Sequence, residues 1–336
     1  MADPIVILGA GPAGISAGWR LAEHGSPVTV LERDTAVGGM GKTLQLGPYG
    51  VDFGPHTFHI RETDESRDVI NTIKPFFGED PLILTRGTRV YLQGKYYVYP
   101  LELLQVLFGV KPSLSARILF DYAVATIKTT FSAPKKEDSF EEWGVRNLGR
   151  TLYDLCFGIY SERVWGLPTS QISSKQAQRV AKLNLWNIIL RTLGIKADPA
   201  AHFTHYMYPR AGISQLYENM SRRMQERGGR LQLETAAIRL EREGGRIARV
   251  IVRRNGGAES AIPCAGVLST LPLPALVRMI TPALPADVLE HAGRLRYRSL
   301  KLVYIVLDRE QLTDFHWVYL LDAHFRINRM SEQKNV

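Results

Sequence analysis

Three glycines near the amino terminus have the spacing of a turn that binds phosphate. Gly9, Gly11 and Gly14 follow one short apolar run, and Glu32 ends the next apolar run, eighteen residues after Gly14. In this pattern the first glycine permits a tight turn, the second lets a pyrophosphate approach the backbone, and the third lets the helix pack closely on the strand. The N-terminus of that helix offers free N–H groups to the phosphates. Glu32 is placed to accept hydrogen bonds from ribose hydroxyls, so the pattern predicts a dinucleotide site.

The elements that must position these residues form one βαβ unit. Residues 4–8 and 28–31 are short apolar runs of the kind found in strands buried on both faces. A helical stretch extends between them to about His24, where Gly25 can end it. The glycines therefore follow the first predicted strand, and Glu32 ends the second.

Length and composition indicate a folded protein of about two domains. The 336 residues are 45% apolar and 22% charged, and 42 Lys and Arg against 33 Asp and Glu give a net charge of +9. The basic residues are scattered rather than arranged in a stripe with aromatic residues, so we expect no nucleic-acid partner. No apolar run reaches the length of a membrane helix, and no secretory leader is evident, which favours a cytoplasmic protein.

Motifs for other kinds of catalysis are missing. The two cysteines, Cys156 and Cys264, lie far apart in the sequence and outside any CxxC pair, which argues against a disulfide framework and a zinc site. His202 and His205 are too few to bind a metal ion, and no serine-nucleophile or zinc-protease motif is present. We therefore expect no metal centre.

The rest of the chain alternates between helical and strand patterns. Helices are predicted over residues 64–75, 101–131 with a break near 109–112, 139–165, 174–193 and 213–224. Strands are predicted over residues 230–234, 236–241, 247–253, 267–270, 304–307 and 317–321, with a hairpin over 89–99. The central block has few strand patterns, and no flexible linker separates two domains.

The segment after Glu32 resembles the double-glycine motif of the flavin-containing amine oxidase superfamily. That motif has an acid, a short spacer, two glycines, usually an arginine, and then a threonine or serine. Here Glu32-Arg33-Asp34 leads to Gly38-Gly39-Met40 and then to Thr43. Met40 stands where the family usually has arginine, which removes one side-chain contact with phosphate. The superfamily includes protoporphyrinogen oxidases, phytoene desaturases and UDP-galactopyranose mutases, and the resemblance implies FAD rather than NAD as the cofactor.

Later segments extend the resemblance over most of the chain. Residues 52–59, Asp-Phe-Gly-Pro-His-Thr-Phe-His, resemble the segment that brings backbone close to the isoalloxazine ring, and Gly-Pro-His-x-Phe-His is especially similar to the mutases. Residues 160–166 resemble part of the helical substrate domain of the protoporphyrinogen-oxidase-like branch. Residues 231–240 resemble the strand pair whose backbone contacts adenine, a contact that would fall on Ala237.

The resemblance implies an α/β fold in which a Rossmann-like FAD-binding domain is interleaved with an α+β substrate domain. The expected FAD-binding parts are residues 1–75 and 208–275. The expected substrate-domain parts are a mainly helical block over 76–207 and a sheet over 276–336. Nothing after residue 300 resembles the family's C-terminal segment that caps the flavin, so we expect the C-terminal part of the fold to be missing.

The resemblance also implies which residues bind the cofactor. They are Gly9, Gly11, Pro12, Ala13, Gly14, Glu32, Arg33, Gly38, Gly39, Met40, Gly54, Pro55, His56, Thr57 and Ala237. Because a flavin supplies the redox chemistry itself, no motif identifies a catalytic residue. His56 either acts on the reduced flavin or the substrate, or bonds to nearby backbone, and the backbone role is favoured for His59. Arg163, Arg179 and Arg210 could bind a carboxylate or diphosphate of the substrate, but structural ion pairing is favoured for each of them.

Three functions fit this pattern. The favoured one is an FAD-dependent oxidoreductase that transfers a hydride from a C–N or C–C bond of a small organic substrate to the flavin. The second is a flavin-dependent isomerase of the UDP-galactopyranose mutase kind, which needs reduced flavin and a nucleotide-sugar site. The third is a non-catalytic protein that keeps the nucleotide fold. Peripheral membrane contact is left open, because related proteins act on lipophilic substrates, and the oligomeric state is left open as well.

Overall fold

A computed structural model describes residues 2–60, 64–85, 87–99, 101, 103–131, 139–179 and 205–335, with the backbone alone at 64–66 and 177–179. The chain forms two compact units, each built from two separate segments. Unit one contains residues 1–84 and 205–304, and unit two contains residues 85–204 and 305–336.

The strands are short, and several follow one another in hairpins. They are β1 (Ile5–Leu8), β2 (Val28–Leu31), β3 (Thr43–Leu46), β4 (Tyr49–Asp52), β5 (Phe58–Ile60), β6 (Leu82–Thr85), β7 (Thr88–Leu92), β8 (Lys95–Val98), β9 (His205–Tyr208), β10 (Arg230–Gln232), β11 (Thr235–Glu243), β12 (Arg246–Arg254), β13 (Glu259–Pro263), β14 (Gly266–Ser269), β15 (Ile280–Thr281), β16 (Trp317–Leu320) and β17 (Arg329–Ser331).

The helices are α1 (Pro12–Glu23), α2 (Asp64–Ile73), α3 (Leu103–Gly109), α4 (Pro112–Phe131), α5 (Phe140–Leu148), α6 (Arg150–Tyr153), α7 (Ile159–Trp165), α8 (Ser214–Glu226), α9 (Leu273–Met279) and α10 (Ala286–Gly293). A π-helical turn over Asp154–Gly158 joins α6 to α7. Short 3₁₀ turns lie at Lys74–Phe76, Thr169–Gln171, Ser174–Arg179 and Gln333–Asn335.

Unit one is centred on a parallel sheet with the order β10-β2-β1-β14. All four residues of β2 and three of the four in β1 are buried, as expected for strands covered on both faces. The βαβ unit predicted from the sequence is therefore confirmed, with α1 between β1 and β2. It places the glycine turn and Glu32 at the carboxyl ends of two adjacent strands.

Helix α1 packs against α8 and the sheet at Gly18. A Cβ at this position would lie 2.8 Å from both the Met224 sulfur and Val30 Cγ2. Only glycine allows the helices to approach this closely, and the resulting contacts form a buried cluster around Ile15, Leu216 and Met220.

The second sheet of unit one has the order β13-β12-β11-β15, and its first three strands are antiparallel. Gly244 and Gly245, both at positive φ, make the turn of the β11–β12 hairpin. Apolar side chains from both sheets form one cluster that includes Val6, Leu8 and Val250. The two sheets therefore share a core, which fixes the start of β11 beside the end of β2.

Unit two combines helices with a sheet of order β17-β16-β7-β8, in which β7 and β16 run parallel. Gln93 and Gly94, at φ 52° and 78°, turn the predicted β7–β8 hairpin. Leu92, Val106 and Ile118 belong to the core between this sheet and α3 and α4. None of the helices in the described ranges combines the length and apolar character that crossing a membrane requires.

Two expectations about secondary structure differ from the structure. Residues 304–307, predicted as a strand, have no strand partner in the described part of the chain; Ile305 and Val306 there are 75% and 64% exposed. Apolar sequence favours a strand, but a strand also requires a neighbour that accepts its backbone hydrogen bonds. The predicted helix over 174–193 is a 3₁₀ turn as far as residue 179, and its remainder lies outside the described residues.

The two compact units have segment boundaries of their own, which can be set beside the expected domain segments. Residues 276–304, expected in the substrate-domain sheet, belong to unit one. The reason is that β15 pairs with β11, while Leu276 and Met279 pack on the core between the two sheets. The boundaries expected after residues 75 and 207 fall after residues 84 and 204.

Candidate functional site

The glycine turn leaves space in front of a helix N-terminus. Gly11 is the N-cap of α1 in an extended conformation (φ −69°, ψ 179°), and no side chain caps the helix. A Cβ on Gly11 would meet one atom within 4 Å, Gly39 Cα at 3.9 Å. A Cβ on Gly14 would lie 1.9 Å from the Gly9 carbonyl oxygen, so the turn closes only because residue 14 is glycine. Uncapped N–H groups facing open space are what an anionic group requires.

The double-glycine loop packs directly on this turn. The Gly38 N–H donates to the Ala10 carbonyl at 2.8 Å, and a Cβ on Gly39 would lie 2.9 Å from Gly11 Cα. Both glycines have positive φ, 108° and 53°. The structure thus brings together two motifs that are separated in the sequence. Met40 and the side chain of Arg33 extend into solvent instead.

Glu32 holds the turn in place with both carboxylate oxygens. Oε2 accepts the Ala10 N–H at 2.8 Å and Oε1 accepts the Asp34 N–H at 3.0 Å. The residue is buried. A carboxylate offers about four acceptor sites, so two lone pairs are left for ribose hydroxyls. The sequence predicted only the ribose contact. It did not predict the two hydrogen bonds that Glu32 accepts from backbone N–H groups, because these depend on how residues 9–11 fold around the carboxylate.

Glu32→Ala should weaken binding of the expected FAD about ten- to a hundredfold, because it removes charge-assisted hydrogen bonds worth roughly 1.5–3 kcal/mol. It should also lower the melting temperature of the cofactor-free protein, because two backbone N–H groups lose their acceptor. Glu32→Gln keeps one acceptor oxygen, so its FAD affinity and its melting temperature should lie between those of the wild type and those of Glu32→Ala. Fluorescence titration with FAD and thermal unfolding measure the two effects. An unchanged dissociation constant together with lower stability would show that Glu32 serves the turn alone.

A cavity of about 490 Å³ opens beside the end of β2 in unit one. Its walls come from the segment after Glu32 and from the β11–β12 hairpin, and the lining residues are Arg33, Asp34, Thr35, Lys42, Glu234, Ala236, Ile238, Arg253, Asn255 and Gly256. Lys42 Nζ donates to Asp34 at 2.8 Å, and this hydrogen bond lowers the pKa of the Asp34 carboxyl. Lys42, Arg253 and Asn255 were not expected here, because their approach depends on how the hairpin packs.

The backbone of β11 is irregular where it borders the cavity. The pairing with β12 shifts between Ala237 and Arg239, which leaves Ile238 without a ladder partner. The Thr235 N–H donates to the Glu32 carbonyl at 2.8 Å, away from β12. Because backbone groups alternate along a strand, the N–H and C=O of Ala237 face that same side. This is the edge at which Ala237 was expected to contact adenine.

The segment over residues 54–57 is irregular backbone with a buried polar atom. Gly54 has φ 104°, a conformation suited to glycine. His56 Nε2 is buried and has no hydrogen-bond partner among the described residues. His59 lies in β5 with its ring 6.3 Å from the Tyr206 ring, and Pro55 and Thr57 are half-buried. A bound group could supply the partner that His56 lacks.

The three arginines considered for substrate binding have different surroundings in the structure. Arg163 of α7 donates to four backbone carbonyls, those of Leu320 (2.7 Å), Phe325 (2.7 Å), Leu321 and Ile327 (both 3.1 Å). Its guanidinium is therefore a structural group of unit two, and burial lowers its pKa. Arg210 is exposed and pairs with Asp80 at 2.7 Å. The side chain of Arg179 lies outside the described residues.

Other candidates for chemistry have structural partners. Tyr160 packs edge-to-face on Tyr319 with ring centroids 6.0 Å apart, and burial raises its pKa to about 12. Both cysteines are buried, and burial raises the pKa of the Cys156 thiol to about 12. Within the described ranges no cluster of His, Cys, Asp and Glu could hold a metal ion.

The features of unit one together fit an extended dinucleotide. The uncapped helix with open Gly11 suits a pyrophosphate, and Glu32 has lone pairs for a ribose. The cavity, which is lined by Ala236 and Ile238 on either side of Ala237, has the size to take a purine. His56 offers an unsatisfied nitrogen to a ring with polar atoms.

Comparison with known proteins extends the similarity over almost the whole chain. A family model for flavin-containing amine oxidoreductases matches residues 12–320. The chain is 22% identical over 224 residues to dTDP-fucopyranose mutase of Escherichia coli, an alignment covering 65% of this chain and 54% of that protein. It is 25% identical over 180 residues to a probable UDP-galactopyranose mutase of Klebsiella pneumoniae, covering 52% and 44%. The chain thus spans about half the length of these curated relatives.

Solved structures share the fold at lower identity. Reduced UDP-galactopyranose mutase superimposes with a TM-score of 0.77 at 19% identity, covering 99% of this chain and 70% of that one. A putative protoporphyrinogen oxidase from Exiguobacterium gives a TM-score of 0.64 at 17% identity, covering 98% and 72%.

Proposed function

Because the chain belongs to the family of flavin-containing amine oxidoreductases, we propose that it is an FAD-dependent enzyme that isomerises a sugar nucleotide. The resemblance inferred from the double-glycine motif is confirmed, and family membership supports FAD rather than NAD. The observation that carries the choice of reaction is the segment Gly54–His59. Its sequence is similar to the mutases, and it presents the unsatisfied His56 nitrogen.

The residues of unit one would hold the cofactor in an extended form. The α1 N-terminus and the turn from Gly11 to Gly14 bind the pyrophosphate, and Glu32 binds the adenosine ribose. The Ala237 backbone, between the cavity-lining residues Ala236 and Ile238, would bond the edge of the adenine. The loop from Gly54 to Thr57 would contact the isoalloxazine, and the unpartnered His56 Nε2 would form a hydrogen bond with the ring or with the substrate. When bound, FAD supplies reversible hydride chemistry and, in its reduced form, a nucleophile.

Sequence relatives support sugar-nucleotide chemistry. The two curated relatives described above are mutases of UDP-galactopyranose and dTDP-fucopyranose, and their alignments cover more than half of this chain. The mutase structure also superimposes more closely than the protoporphyrinogen oxidase, with TM-scores of 0.77 and 0.64. The diphosphate of such a substrate requires cationic groups, and Arg163 is not one of them, because its two Nη groups already donate to four backbone carbonyls.

A hydride-transferring oxidoreductase is the second candidate. The description of the family favours it, as does the superposition with the protoporphyrinogen oxidase. It shares the cofactor site described above and differs in the substrate. The two candidates are therefore separated by their response to reduction rather than by cofactor binding.

The experiment is performed on purified protein saturated with FAD. We expect heat to release a compound with the spectrum and mass of FAD. With UDP-galactopyranose or dTDP-fucopyranose, the dithionite-reduced protein should form the ring-contracted isomer, while the oxidised protein should form none. The flavin spectrum should be unchanged after turnover, because the isomerisation has no net redox change.

The oxidoreductase is tested in parallel. Without oxygen, an oxidase bleaches its own flavin when its substrate is added. Putrescine, as a simple amine, and protoporphyrinogen are therefore mixed with the oxidised protein. Bleaching with either, and no sugar isomer, would replace the mutase proposal by the oxidoreductase. Recovery of NAD alone would overturn both.

A further inference from the structure

Asp52 is a buried carboxylate at the end of β4, and none of the roles assigned so far uses it. The residue is 3% exposed. Its Oδ1 accepts hydrogen bonds from Thr43 Oγ1 at 2.6 Å and from the Ile213 N–H at 3.3 Å, and its Oδ2 accepts one from the Tyr208 hydroxyl. One side chain thus joins β3, the end of β9 and the start of α8.

Further hydrogen bonds lock the same junction. Thr43 and Ser214 exchange two: Thr43 N–H to Ser214 Oγ at 2.9 Å and Ser214 N–H to Thr43 Oγ1 at 3.1 Å. The Tyr304 hydroxyl donates to the Asp52 carbonyl. A Cβ on Gly212 would lie 2.4 Å from Thr43 Oγ1, so the turn before α8 can lie this close to Thr43 only because residue 212 is glycine. The position of Asp52 is therefore fixed from several sides.

The negative charge of Asp52 is shared among neutral donors. Its three side-chain hydrogen bonds come from two hydroxyls and one backbone N–H. The N-terminus of the 13-residue helix α8 adds a partial positive charge. Burial, reinforced by the bond to Asp52, raises the pKa of Tyr208 and keeps its hydroxyl protonated as a donor. The charge is thus solvated by oriented dipoles and keeps a long electrostatic reach in a buried environment.

The loop that begins after Asp52 has few other attachments at its start. The Phe53 N–H donates to the Lys42 carbonyl at 3.1 Å, and the Gly54 N–H donates back to the Asp52 carbonyl at 2.6 Å. Gly54 then turns the chain with positive φ toward His56. The direction of the loop is consequently set by the orientation of Asp52.

We propose that Asp52 is a positioning residue for the 53–57 loop and that its charge tunes the bound flavin. This inference rests on the proposed function, in which that loop faces the isoalloxazine. A fixed negative charge beside the ring disfavours the electron-rich reduced form, so it lowers the midpoint potential of the flavin. This tuning role requires both the negative charge of Asp52 and the groups that donate hydrogen bonds to it.

Two variants should shift the midpoint potential of the bound flavin in opposite directions. Asp52→Asn removes it, so the midpoint potential of bound FAD should rise, and the dissociation constant should increase about tenfold, because an amide cannot accept all three hydrogen bonds. Tyr208→Phe keeps the charge but removes one donor, so the midpoint potential should fall. Asp80→Asn is the matched control, since it removes an exposed carboxylate of unit one that pairs with Arg210. It should leave both quantities unchanged.

The potentials are measured by anaerobic reduction against reference dyes, and FAD affinity by fluorescence titration. Shifts of opposite sign in Asp52→Asn and Tyr208→Phe support the proposal, because a purely structural role would not produce them. Wild-type potentials in both variants, or shifts of the same sign, would overturn it while leaving the cofactor assignment intact. If Asp52→Asn does not fold, a potential of Tyr208→Phe that is not lowered overturns the proposal. A wild-type protein that binds no FAD would overturn the cofactor assignment and this inference together.

Discussion

Gly11→Ala should strongly weaken FAD binding while leaving the fold intact, whereas Gly14→Ala should strongly destabilise unit one. At Gly11 the backbone conformation suits any residue, and an added Cβ would meet only Gly39 Cα at 3.9 Å. The methyl group would therefore occupy the space left for the pyrophosphate. We expect an affinity loss of about a hundredfold or more, equivalent to roughly 3 kcal/mol.

At Gly14 the same methyl group overlaps the protein itself. The Cβ would lie 1.9 Å from the Gly9 carbonyl oxygen, and both atoms belong to a turn held by buried strands. Relief of that overlap would cost on the order of 3 kcal/mol or more. Thermal unfolding without cofactor and FAD titration distinguish the two variants. Normal FAD affinity in Gly11→Ala would show that the pyrophosphate lies elsewhere, and a stable Gly14→Ala would contradict the described turn.

Arg163→Met should destabilise unit two strongly. Methionine fills a similar volume but donates no hydrogen bond, so the carbonyls of Leu320 and Phe325 and two others lose their donor. The expected loss of unfolding free energy is about 2–4 kcal/mol, given the number of hydrogen bonds and their partial exposure. Arg163→Lys should be intermediate, because one ammonium group cannot span carbonyls that a planar guanidinium reaches together.

The matched control for this variant is Arg89→Met. Arg89 is also in unit two, but its ion pair with Asp314 is long, 3.9 Å, and Asp314 is mostly exposed. Removing such a pair should cost no more than about 1 kcal/mol. Urea unfolding followed by tryptophan fluorescence, with hydrogen exchange of residues 317–327, measures both variants. Equal stability of the two variants would contradict the structural role assigned to Arg163.

Local sequence predicted the cofactor half of the fold well, for physical reasons. Residues 4–32 carry their structural requirements in neighbouring positions: two buried strands, glycines where the backbone must turn, and an acid at a strand end. The β7–β8 and β11–β12 hairpins were predictable because their turn residues need positive φ. In both cases the interactions span few residues.

The remaining site depends on contacts between distant segments. For Arg163 the sequence favoured structural ion pairing over anion binding but could not identify its partners, which are backbone carbonyls more than 150 residues further along the chain. Asp52 is separated from Tyr208 by 156 residues and from Ile213 by 161. Such partners leave no periodicity in the sequence. The prediction of a strand at 304–307 was wrong for a related reason. A strand needs a neighbouring strand to pair with, and the sequence of the segment itself does not reveal whether such a neighbour exists.

The segment Lys301–Leu307 affects how the protein behaves in concentrated solution. Its side chains are exposed on both sides, with Val306 at 64%, and no strand satisfies its backbone in the described part of the chain. Attraction between such segments is short-ranged and hydrophobic, so salt does not weaken it, whereas salt does screen the repulsion between molecules of net charge +9. We therefore expect the protein to stay dispersed best in dilute buffer and to associate through this segment as salt is added.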